Sequence, residues 1–232
     1  MIKALFWKEW CEQRWKLAYG CVLLMGFVAV GLRSRLVQDD IIIIMAAGGG
    51  SVLMALLVGM GLVAAERSEG SLEMLLALPV RSWKIFAVKM AMGALVCALP
   101  IVGCMVVSLA IAGGREMSAT RIIVAYLGCV AFSIVMLVWM VAFSIRQPSE
   151  ARAGLVGIGV FMGWIFTILL SMLFFKPPNW FGLVITPLGI LVITFNLMYN
   201  VLGRLVVVQL ALFVCLLLWG AYRFDKEGMS KV

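Results

Sequence analysis

Six long apolar stretches separated by short charged segments set the pattern of this chain. They cover residues 17–33, 41–65, 90–113, 122–145, 153–175 and 205–222. Each approaches or exceeds the roughly 20 residues that a helix needs to cross a bilayer. Apolar residues run on without alternation, which predicts helices and excludes a barrel of period-two strands. The first run is short. Its flanking Lys16 and Arg33 are expected to extend their stems to reach water. A seventh apolar region, within 177–200, is interrupted by Pro187 and Gly189. It predicts a re-entrant or interfacial element shielded by protein or water.

The segments between the runs carry the information. Residues 1–16 place Ile2, Leu5, Phe6 and Trp10 at helical spacing among Lys3, Lys8, Glu9, Glu12 and Lys16. This predicts an amphipathic helix lying in the interface, with Trp7, Trp10 and Trp15 in the headgroup layer. The plainer alternative is the solvated start of the first crossing. Residues 66–89 hold seven ionisable side chains, Glu66, Arg67, Glu69, Glu73, Arg81, Lys84 and Lys89, and are expected to sit in water. Yet the middle of this stretch, Leu72 to Leu78, is mostly apolar and far too short to span a bilayer. Ser71 can cap a helix there, Glu73 suits its first turn and Pro79 ends it. The prediction is a helix of about two turns outside the membrane, with leucines that it cannot bury alone.

Charge then orients the chain. It has 19 basic and 11 acidic residues, a net charge of +8, no histidine and 65% hydrophobic residues. Its mean hydropathy is +1.14. With six crossings, residues 1–16, 66–89, 146–152 and 223–232 share one side and hold 13 of the 19 basic residues. Basic loops mark the cytoplasmic side. A seventh full crossing would put the basic tail on the other side and weaken this bias, so 177–200 is read as not spanning. The basic residues lie at segment ends, which points to membrane topology and away from nucleic acid. The N-terminal residues lack a compact basic-then-apolar leader pattern and are read as part of the mature chain.

Small residues mark packing faces. Ala47, Ser51, Ala55 and Gly59 recur every four residues in the second run, and Gly159 and Gly163 form a GxxxG pair in the fifth. Such stripes let helices approach closely, within one subunit or between two. Pro100 falls at mid-depth in the third run and is expected to bend it. The six cysteines contain no CxxC pair, so small apolar packing is the expected role. No metal site or bound cofactor is expected.

The chemistry of an engine is missing. The chain has no GxxxxGK[ST] phosphate loop, serine elbow or HExxH helix. No Asp, Glu, Lys or Arg lies inside the six runs, which disfavours a proton-coupled carrier. If the chain moves a solute, the energy is expected from another subunit. An exposed apolar helix at 70–81 would be the docking point for that subunit.

At residues 66–90, ERSEGSLEMLLALPVRSWKIFAVKM, the sequence resembles the ABC-2 family of permeases, the membrane subunits of many bacterial ABC exporters. The start, MIKALFWKEWCEQRWKLAYG, is similar to that family's N-terminal connecting helix. The resemblance implies an all-α polytopic membrane protein in the bacterial cytoplasmic (inner) membrane, with six transmembrane helices and both termini cytoplasmic. It implies a homo- or heterodimer of permeases with two ATP-binding subunits, which hold the ATP and magnesium, so that this chain is not itself an enzyme. In that reading Gly70 and Ser71 set the start of a coupling helix. Leu72, Leu75, Leu76 and Leu78 supply the docking contact, Glu73 and Arg81 sit at its rim, and Pro79 fixes its exit. The haem-export permeases of cytochrome c maturation carry a similar Gly-Ser-Leu-Glu and Leu-Pro stretch and are a sub-family alternative. Two other readings remain: a non-transporting anchor or sensor that recruits an ATPase, and a loop helix that folds back onto its own subunit.

Overall fold

The computed structural model describes residues 2–34, 39–71, 75, 80–112, 119–174 and 202–229. Among these residues every regular element is helical. The expected re-entrant element at 177–200 lies outside them. So do Leu72, Glu73, Leu76, Leu78 and Pro79.

Helix α1 runs unbroken from Ile2 to Ser34. At 1.5 Å per residue its 33 residues reach about 50 Å, well beyond a hydrocarbon core of about 30 Å. The boundary expected near residue 16 is therefore no break in the backbone. The polar start continues straight into the apolar part. Its buried stripe is Glu9, Gln13, Gly20, Leu24, Val28 and Leu32, while Trp7 and Trp15 face outward.

The second run is built in pieces. It comprises α2 (Asp39–Ile44), a π-helical turn (Met45–Gly49), α3 (Gly50–Gly61) and, after a turn at Leu62 and Val63, α4 (Ala64–Ser68). The π turn ends where three consecutive glycines, Gly48 to Gly50, weaken the ordinary helical preference. The long helices α5 (Ser82–Ala112), α6 (Ala119–Ser144), α7 (Glu150–Phe174) and α8 (Leu202–Met229) follow. Pro100 sits inside α5, where it leaves the carbonyl of Val96 without its usual donor.

Packing assembles these into one bundle. Helix α5 is central: it lies against α1, α3, α6 and α8. Helix α3 packs on α6, and α7 closes over both. The core joins Val28 and Leu32 of α1, Met54 and Val58 of α3, Val96 and Ile101 of α5, and Tyr126 and Leu137 of α6. A buried hydrogen bond of 2.7 Å between Ser108 and Tyr126 ties α5 to α6.

Among the described residues four helical spans are long and apolar enough to cross a membrane: Lys3–Ser34, Ile41–Glu69, Ser82–Ile111 and Ala119–Ser144. Their outer faces suit lipid. Tyr19, Val22 and Val30 on α1 are each at least 70% exposed, a surface that water would not tolerate over so many turns.

Candidate functional site

Side-chain contacts gather one set of helix ends. The start of α1, helix α4, the start of α5, the end of α6, the start of α7 and the end of α8 meet at the same end of the bundle. Lys16 Nζ lies 3.9 Å from Glu150 Oε1, and Arg67 donates to the carbonyl of Gln147 at 3.4 Å. Ser82 donates to the carboxylate of Asp225. Phe86 stacks against Phe224 with ring centroids 5.6 Å apart.

At the centre of this end is a buried charge network. The Nζ of Lys89 on α5 donates to Glu9 Oε1 of α1 at 2.7 Å. It lies 2.7 Å from Glu66 Oε2 of α4 as well, as an ion pair whose angles fall outside those of a hydrogen bond. Lys8 donates to the other oxygen of Glu66 and pairs with Glu12 at 3.1 Å. Glu9 and Lys89 are each 1% exposed and Glu66 4%. Three carboxylates, those of Glu9, Glu12 and Glu66, come within 4.8 Å of one another. The ammonium groups of Lys8 and Lys89 sit among them and supply the compensating charge.

This corrects the expectation that the whole stretch from 66 to 89 lies in water. Its first and last residues, Glu66 and Lys89, are buried. The reason is the length of α1, which carries Glu9 and Lys8 up to them. Buried charges persist only when paired at short range, as these are.

The candidate docking residues divide in the structure. Gly70 is exposed and takes φ 74°, a left-handed conformation that closes α4, with its N–H on the carbonyl of Arg67 at 3.2 Å. Glycine carries no Cβ penalty there. The Ser71 hydroxyl donates to the carbonyl of Glu66 at 3.4 Å, so it serves the end of α4. Arg81 is exposed just before α5. Leu75 is buried at 6% by this chain alone, so this leucine is a contact within the subunit.

The small-residue faces also divide. Ala47, Ser51, Ala55 and Gly59 are all buried inside the chain. Ser51 donates to the carbonyl of Cys129 on α6 at 3.2 Å, and a Cβ on Gly59 would meet the Cβ of Met140 at 2.6 Å. Gly159 and Gly163 face outward, and a Cβ on either would meet nothing within 4 Å. On α7 it is Gly154 and Gly157 that admit neighbours, Met60 and Met140.

Glu9 is the site residue that the sequence reading grouped with the polar positions of residues 1–16, and it is buried. The signal existed. The buried positions 20, 24, 28 and 32 of α1 extend backward at helical spacing onto 13 and 9.

Among its described residues the molecule is thus helical throughout its regular elements, with several helices fit to cross a membrane and a charged clamp at one end. No protein-family model matches it, and no curated protein matches it.

Proposed function

We propose that this chain is the permease half of an ATP-binding-cassette transporter, working as an exporter, with six crossings and residues 66–89 on the cytoplasmic side. A separate ATPase docks on the loop between α4 and α5 and supplies the energy. A second permease, identical or related, completes the path. The resemblance of residues 66–90 to ABC-2 permeases motivates the reading.

One observation in the structure supports it above others. Both shoulders of the loop are clamped to the bundle, since Glu66 and Lys89 bind each other and the start of α1. A push on the loop is therefore delivered to three helices together. A loosely attached loop would absorb it. Leu75 seats the loop on its own subunit, and in this reading Leu72, Leu76 and Leu78 make the docking contact.

The burial of Leu75 also favours a second reading, in which the loop helix folds back onto its own subunit. Affinity purification of the tagged chain from its native membranes separates the two. Leu76→Asp and Leu78→Asp, verified as inserted, should lose the co-purifying ATP-binding subunits. Retention of those subunits at the level of the unmodified chain would refute the docking role.

A further inference from the structure

Two guanidinium groups converge on one indole at the clamped end of the bundle. Arg223 lies one turn beyond Trp219 on α8, with its guanidinium carbon 5.5 Å from the indole centroid. Arg146, just past the end of α6, reaches the same ring at 5.9 Å. Nε of Arg223 is buried and has no acceptor. Two described carboxylates of this end are engaged elsewhere. Asp225 accepts from Ser82, and Glu150 faces Lys16. Two like charges therefore lie against one aromatic ring, and among the described residues neither has a carboxylate partner.

We infer that this corner binds the phosphate of an anionic phospholipid headgroup. A phosphate diester offers oxygens to two guanidinium forks at once, a match that the single charge of a lysine does not reproduce. The apolar approach fits a lipid. Leu210, Val214, Leu218 and Tyr222 recur every four residues along the outer face of α8, each at least 50% exposed. This stripe leads to the level of Trp219 and gives acyl chains a track that ends at the two arginines. Arg81, Lys84 and Lys226 add positive charge nearby, because Ser82 and Asp225 join the start of α5 to the end of α8. Trp and Arg at this depth suit the membrane–water boundary.

The inference rests on the chain lying in a bilayer and needs no ATPase, so it is measured on the isolated chain. Native mass spectrometry in detergent would compare phosphatidylglycerol, phosphatidylcholine of the same acyl chains, and inorganic phosphate. Phosphatidylglycerol should bind in preference to phosphatidylcholine. Arg146→Ala and Arg223→Ala should each weaken it about fivefold, and Arg223→Lys less. Arg152→Ala, an exposed basic residue at the start of α7, should leave it unchanged. Equal binding of both lipids, or an equal loss in Arg152→Ala, would overturn the site. Inorganic phosphate binding as well as the lipid would overturn the lipid as its source.

Discussion

Lys89 is held between two carboxylates that share almost none of their surface with water. Its removal leaves Glu9 and Glu66 buried with less compensation, and an orphaned buried charge costs about 3–5 kcal/mol. Lys89→Met should therefore lower the unfolding temperature of the detergent-solubilised chain sharply. Adding Glu9→Gln should recover part of the loss, because that carboxylate is then neutral. A Lys89→Met chain as stable as the parent would show that the network contributes nothing to the fold. The residue identities alone could not reveal this. Glu66 and Lys89 stand among charged neighbours, and only the partner from α1, some 60 to 80 positions away in sequence, turns a solvated charge into a buried one.

At the level of elements, glycines distinguish inward from outward faces. Gly59 on α3 touches α6 so closely that a methyl group there must displace Met140. Gly59→Ala should cost about 1–3 kcal/mol through overpacking. Gly159→Ala meets open space on α7 and should be neutral or gain up to about 1 kcal/mol from helix propensity. Opposite signs in paired thermal-unfolding measurements would confirm the assignment, and equal losses would contradict it. The every-four spacing of Ala47, Ser51, Ala55 and Gly59 was legible as a close-packing face. Which helix it meets was not legible, because spacing names a face and says nothing of the neighbour. The GxxxG pair reads the same way in sequence, yet in this chain it points outward. Gly70 was legible as a helix boundary, but its role is to end α4, since a left-handed residue cannot continue a helix.

At the scale of the whole molecule, the clamped end collects the segments in which basic residues are most numerous. The reading with six crossings places that end in the cytoplasm. A phosphatase reporter, active only outside, should be active when fused after Thr120 or Asn200 and inactive when fused after Ser149. Activity after Ser149 would invert the orientation, and inactivity after Asn200 would indicate a seventh crossing. The contacts of Phe86 with Phe224 and of Ser82 with Asp225 bring the end of α8 beside the start of α5. The proposed six crossings would place these two ends on one side.

Hydrophobic run length and the absence of alternation determined that this chain is helical and suited to a membrane, since a bilayer demands long spans with internally paired backbones. Local spacing determined where backbones could come close. Only the tertiary structure decided that Glu9, Glu66 and Lys89 form one buried clamp, that Leu75 belongs to its own subunit, and that Arg146 and Arg223 meet at Trp219. Each of these depends on through-space proximity between distant segments, and burial changes the energy of a charge far more than any neighbour in sequence does.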